Sequence, residues 1–126
     1  DLQGFLQHET TEQIEANWET MADLADAHGI RMVFGALLPV NDYTPAAKDV
    51  LKERDPVRIR ALNAWLRAFC KRRGYAFADY FTPLADERGL MAARFTQDGV
   101  HPLDDGYAVM APVAQRAIDQ ALGDEK

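Results

Sequence analysis

The chain contains no serine, a single cysteine and no apolar run long enough to span a membrane. Without serine, the hydroxyl nucleophile most common among hydrolases is not within these 126 residues. One cysteine, Cys70, excludes an internal disulfide and a cysteine-based metal cluster. It falls on the apolar face of a predicted helix and reads as a small buried hydrophobe. Basic charge is in deficit, with 14 Lys and Arg against 20 Asp and Glu and a net charge of −6. Nucleic acids and anionic membrane surfaces both demand a basic footprint, so neither is an expected partner. The basic run Lys71-Arg72-Arg73 ends a predicted helix, where cations complement the helix dipole. No signal peptide is visible, but the sequence begins at Asp1 rather than Met, so this says nothing of compartment.

What is present has the composition of one globular domain, 48% hydrophobic and 27% charged. Residues 10–28 predict an amphipathic helix with a Thr10/Gln13 capping box, Ile14, Trp18, Met21 and Ala25 on its apolar face, and Gly29 as its stop. Arg31 to Leu38 is a nearly continuous apolar run ended by Pro39, the pattern of a strand covered on both faces. A long connection from Pro39 to Arg54 follows, with a helical turn expected between Ala46 and Lys52. Asp55-Pro56 opens a second helix with Ile59, Leu62, Leu66, Phe69 and Cys70 on one face, closed by Gly74. Tyr75 to Tyr80 is a second strand, and a short turn is expected near Leu84 to Asp86. A last helix starts near Asp104 or Asp105, both read as N-caps, and turns Tyr107, Met110, Val113, Ala114, Ile118 and Leu122 to the core, with a kink at Pro112. Trp18 and Trp65 have helical-core spacing and read as packing residues. Alternating helices and strands indicate an α/β fold with parallel strands. Two strands are too few for such a sheet, so the chain is expected to be the C-terminal part of a larger domain, or to complete its sheet with another chain.

The chemistry concentrates in Asp98-Gly99-Val100-His101-Pro102, a turn just ahead of the last helix. An ionised Asp98 accepting from one ring nitrogen of His101 leaves the other nitrogen to act as a base. Gly99 permits a backbone twist that other residues resist. The bland alternative is a turn in which Asp98 caps backbone N–H groups and His101 lies idle on the surface. His8, in a polar lead-in, and His28, at a helix C-terminus, have no spacing that makes a metal site with His101, and none is assigned.

The Asp98-Gly99-Val100-His101-Pro102 block, followed by Gly106-Tyr107 and a helix, resembles the last block of the SGNH hydrolases, also called GDSL-type esterases and lipases. Supporting segments follow in the same order: Gly29-Ile30-Arg31 entering a strand that ends Leu38-Pro39-Val40, then Leu62-Asn63-Ala64-Trp65-Leu66, then Gly74-Tyr75. This order is similar to that of lysophospholipase-like members. The resemblance implies a three-layer α/β/α, flavodoxin-like sandwich, of which only the C-terminal strands and helices are present. It implies a serine esterase whose triad takes Asp98 and His101 from this chain and Ser from a Gly-Asp-Ser block in the N-terminal segment of the same protein. Asp1-Leu2 would then end the Gly-x-Asn-Asp block that carries the oxyanion-hole Asn.

By the same resemblance, Asn41 and Tyr43 lie in a loop that lines the substrate pocket, the substrate is a small ester, and no cofactor is implied. A chain lacking nucleophile and oxyanion hole is expected to be inactive alone, since one lost oxyanion donor costs about 10²–10³ in kcat. Lysophospholipase-like relatives are commonly exported, so a periplasmic or secreted location is expected. Two alternatives stand beside the enzyme: a non-catalytic flavodoxin-like ligand-binding module, and a self-associating fragment that forms a homo-oligomer. Upstream Gly-Asp-Ser and Gly-x-Asn blocks would distinguish the enzyme from the binder.

Overall fold

Reciprocal capping starts the first helix of the described chain, which runs from residue 9 to residue 123 of this computed structural model. Thr10 Oγ1 accepts the Gln13 N–H at 3.1 Å and Gln13 Oε1 accepts the Thr10 N–H at 2.7 Å, opening α1 (Thr11–Ala27). The chain then enters β1 (Val33–Gly35), a 3₁₀ turn (Pro45–Ala47) and the short α2 (Val50–Glu53). Asp55 Oδ1 accepts the Val57 N–H at 3.0 Å and starts α3 (Pro56–Arg73), which ends where Gly74 turns left-handed at φ 77°. There follow β2 (Ala76–Ala78), α4 (Phe81–Leu84), a second 3₁₀ turn (Ala93–Phe95) and α5 (Asp104–Leu122). His8, Asp1 and Leu2 lie outside the described residues.

β1 and β2 pair in parallel, Val33 opposite Ala76, Phe34 opposite Phe77 and Gly35 opposite Ala78. Alternation along each strand sends successive side chains to opposite faces. Phe34 and Phe77 join the core beneath α1 and α3, while Val33, Ala76 and Ala78 meet Val113, Ala117 and Ala121 of α5. The result is the α/β/α layering that the family resemblance implies. Aromatic rings tie the first two layers: Trp18 stacks on Trp65 at 5.9 Å between ring centres, Trp65 on Phe69 at 5.1 Å, and Phe69 meets Phe34 edge-on at 6.0 Å. Both tryptophans are packing residues, as their spacing indicated. Cys70 is buried, and burial pushes its thiol up to about 11, which leaves it protonated and inert at neutral pH.

The strands are shorter than the apolar runs that predict them. The side chain of Asn63 explains the end of β1: its Oδ1 accepts the Leu37 N–H at 2.7 Å and its Nδ2 donates to the Leu37 carbonyl at 2.9 Å. A helix side chain thus substitutes for a strand neighbour, and the backbone leaves the sheet. Other expectations are corrected. The helical turn expected at Leu84 to Asp86 lies earlier, at Phe81–Leu84, because Asp79 Oδ1 accepts the N–H groups of Phe81 and Thr82, each at 3.1 Å. Leu103, not Asp104 or Asp105, is the N-cap of α5, and both aspartates fall in its first turn, where they favour the helix dipole. Pro112 lies inside α5, as the sequence places it. Met21 is half-exposed because the buried stripe of α1 passes through Ala22, which is small enough to let the helix approach closely.

Tyr107, Ile118 and Leu122 are also exposed rather than in the core. Helical geometry, about 100° per residue, gives the reason. Val109, Val113 and Arg116 line a groove at the outer edge of β2, and Ala117 and Ala121 sit nearer the sheet. Tyr107, Ile118 and Leu122 therefore project from the opposite flank of α5, past β1, where the described residues hold no further strand.

Leu62 and Leu66 of α3 are both fully buried at the centre of the larger core. Leu62→Ala is expected to cost about 2–5 kcal/mol, read as a lower urea midpoint with an unchanged m-value.

Candidate active site

Both parallel strands deliver the chain to the same end of the sheet, the usual place for sites in open α/β folds. Two long connections meet there: residues 36–54 after β1 and residues 79–103 after β2. The second is braced in stages. Ala85 bridges Met91, Thr96 bridges Pro102, and the Leu103 N–H donates to the Phe95 carbonyl at 2.7 Å, closing the loop that carries Asp98 and His101.

Within that loop the two oxygens of Asp98 have separate tasks. Oδ1 accepts the backbone N–H groups of Val100 and His101, both at 2.8 Å, and the hydroxyl of Thr96 at 3.3 Å. Oδ2 faces Nδ1 of His101 at 2.6 Å. Burial pushes the Asp98 carboxyl up, but the N–H of His101, its ring and the N–H of Val100 outweigh this and hold it well below the usual carboxylate range. The His101 side chain is 79% exposed, so Nε2, on the far side of the ring from Asp98, faces outward. Asp98 therefore both caps the turn and orients the imidazole. The two readings of this motif describe one carboxylate.

Gly99 is required by contact as well as by torsion. Its φ is +83°, and a Cβ there would lie 2.3 Å from the Asn41 carbonyl oxygen and 2.8 Å from the Ala47 Cβ. The closeness arises because the Asn41 N–H donates to the Gly99 carbonyl at 3.0 Å, joining the loop after β1 to the Asp98 loop. The Asn41 side chain is turned inward and is only 1% exposed. Its Nδ2 donates to the Met91 carbonyl at 2.7 Å and its Oδ1 accepts the Tyr43 N–H at 3.2 Å. Asn41 is thus brought to the Asp98 loop as a tie between segments, with both ends of its amide engaged. Tyr43 is half-buried. Its hydroxyl donates to Asp86 Oδ2, and the Arg88 guanidinium lies 5.5 Å from its ring centre. Burial and the neighbouring Asp86 carboxylate push the Tyr43 phenol up, so it stays a donor. His28 sits apart, its Nδ1 2.9 Å from the Leu24 carbonyl at the end of α1.

Thr96, Asp86 and Asn63 were not singled out from sequence, yet each secures a segment of the site. The available signals were slight: a hydroxyl two residues before an Asp-Gly turn, and an Asp ahead of a glycine turn. Nothing in the sequence marks Asn63 as the partner of Leu37.

The profile of the GDSL-like Lipase/Acylhydrolase family matches residues 4–109. The chain belongs to that family. The match covers lipases and acylhydrolases together and does not divide them into subtypes such as lysophospholipases. Solved structures agree in fold. A proposed acylhydrolase from Bacteroides fragilis is 29% identical, with a TM-score of 0.78 over 90% of this chain and 54% of its own. A GDSL-like lipase from Bacteroides thetaiotaomicron is also 29% identical, with a TM-score of 0.77 and the same coverage. The esterase domain of a zebrafish retrotransposon ORF1 protein shares the fold at 19% identity, with a TM-score of 0.67 over 87% of this chain and 60% of its own. The chain spans about half the length of the first two. Among curated proteins, none matches it significantly.

The depressed Asp98 carboxyl gives a signed pH dependence. Its charge stabilises the folded protein above the unfolded carboxylate value of about 3.9, and this contribution is lost as the pH falls toward the lower folded value. The difference in melting temperature between the native protein and Asp98→Asn is therefore expected to hold between about pH 5 and pH 4 and to narrow below that. Parallel melting curves down to about pH 2 would contradict this.

Proposed function

We propose that residues 1–126 are the C-terminal part of a single SGNH hydrolase domain, a serine esterase or acylhydrolase that cleaves carboxylic ester bonds through a Ser-His-Asp triad. The observation that carries the reading is the 2.6 Å contact between Asp98 Oδ2 and Nδ1 of a largely exposed His101, at the strand C-terminal end of a family member's sheet. The nucleophilic Ser and the remaining oxyanion donors come from the N-terminal segment of the same protein. Among the described residues no strand pairs with the other edge of β1, which supports this: a strand from that segment laid there would cover Tyr107, Ile118 and Leu122.

In this reading Nε2 of His101 takes the Ser hydroxyl proton as the Ser oxygen attacks the ester carbonyl. It returns that proton to the alcohol as the carbon–oxygen bond breaks. Water, deprotonated by the same nitrogen, then releases the acid and restores the Ser. Asp98 holds the tautomer with the proton on Nδ1 and stabilises the imidazolium that forms at each stage. The positions of Asn41 and Tyr43 divide their proposed parts. Asn41 positions the loops, and the Tyr43 ring forms the pocket wall, with its hydroxyl retained by Asp86.

In the full-length protein, His101→Ala is expected to abolish hydrolysis of short acyl esters with little change in stability, because the side chain is exposed. Full activity in that variant would sink the mechanism. In the same assay Tyr43→Ala is expected to raise KM severalfold with a smaller effect on kcat. Comparing short acyl esters with lysophospholipids would show whether the preference is lysophospholipase-like.

A further inference from the structure

Asp98 has a third partner that the triad does not use. Thr96 is only 4% exposed, and with Asn41 it makes up the buried polar residues of the described chain. Its hydroxyl accepts the Gly99 N–H at 3.1 Å and donates to Asp98 Oδ1 at 3.3 Å. Its backbone bridges Pro102 across the base of the loop.

The torsion that turns a carboxylate about its last bond is soft and broad. In this loop the backbone donors to Oδ1, from Val100 and His101, all come from the C-terminal side of Asp98. Thr96 reaches the same oxygen from the N-terminal side, so the carboxylate is held from both directions. The same hydroxyl also satisfies the N–H of Gly99, a buried group that would otherwise lose its partner.

We propose that Thr96 is a positioning residue for the Asp98–His101 pair: its hydroxyl keeps Oδ1 turned into the loop, so that Oδ2 alone meets the imidazole. This rests on the reading of Asp98 and His101 as orienter and base. The side chain acts through Asp98 and is buried away from any substrate. Its loss should therefore lower kcat and leave KM unchanged. Either Thr or Ser can act as donor and acceptor at once; Val has the shape of Thr and can do neither.

The test compares Thr96→Val and Thr96→Ser with the native full-length protein. Thr96→Val is expected to reduce kcat about tenfold, with KM within about twofold. Thr96→Ser should stay within about threefold of the native kcat. Proton NMR gives a readout independent of turnover: the downfield resonance of the His101 Nδ1 proton should persist in Thr96→Ser and broaden or move upfield in Thr96→Val. Native kcat and an unmoved resonance in Thr96→Val would overturn the proposal, as would a folded Thr96→Ser impaired tenfold. Should Thr96→Val fail to fold, Thr96→Ser alone carries the test by the same two outcomes. The two readings fail separately. An active His101→Ala removes the triad, whereas an inactive His101→Ala beside a native-like Thr96→Val removes only the role of Thr96.

Discussion

The carboxylate of Asp98 joins two structures that would otherwise be independent. Through Oδ1 it gathers the N–H groups of Val100 and His101 and the hydroxyl of Thr96, which shapes the loop. Through Oδ2 it sets the tautomer and direction of the His101 ring. Shaping the loop and orienting the imidazole are therefore inseparable. A change that frees one oxygen disturbs the other, because the carboxylate is planar and rigid. Donors on both oxygens also explain why the group stays ionised despite partial burial.

That arrangement holds only if the loop can approach its neighbour closely. Gly99 lies against the backbone of Asn41 with no room for a side chain, and the Asn41 amide extends the tie to Met91 and Tyr43. Two segments far apart in sequence, 41–43 and 91–99, thus meet over a few ångströms at the end of the described sheet. Asn63 contributes from below, ending β1 at Gly35 by taking both backbone groups of Leu37. The loop after β1 is thereby released toward the Asp98 loop instead of continuing as strand.

Much of this was legible because it depends on local chemistry. The capping box at Thr10, the Asp55-Pro56 start, the glycine stops at Gly29 and Gly74, and the Asp98/His101 pair all act over a few residues. The errors share a different cause. Tyr107, Ile118 and Leu122 carry a core pattern, but among the described residues no element covers them. Separately, the amide of Asn41 reaches Met91, fifty residues away, a contact that no local pattern announces. Asp104 and Asp105 have cap chemistry, but closure of the preceding loop puts the N-cap at Leu103 and leaves both aspartates in the first turn.

The sequence by itself determined the order of helices and strands, the parallel α/β class, and which Asp and His belong together. These follow from periodicity, capping and short spacing, which operate between near neighbours. Only the tertiary structure decided that Thr96 meets Asp98, that Asn41 ties rather than faces outward, and that among the described residues no strand other than β2 lies beside β1. Each of these depends on which side chain of a distant segment arrives at a given backbone group. Packing decides that, and the linear pattern does not encode it.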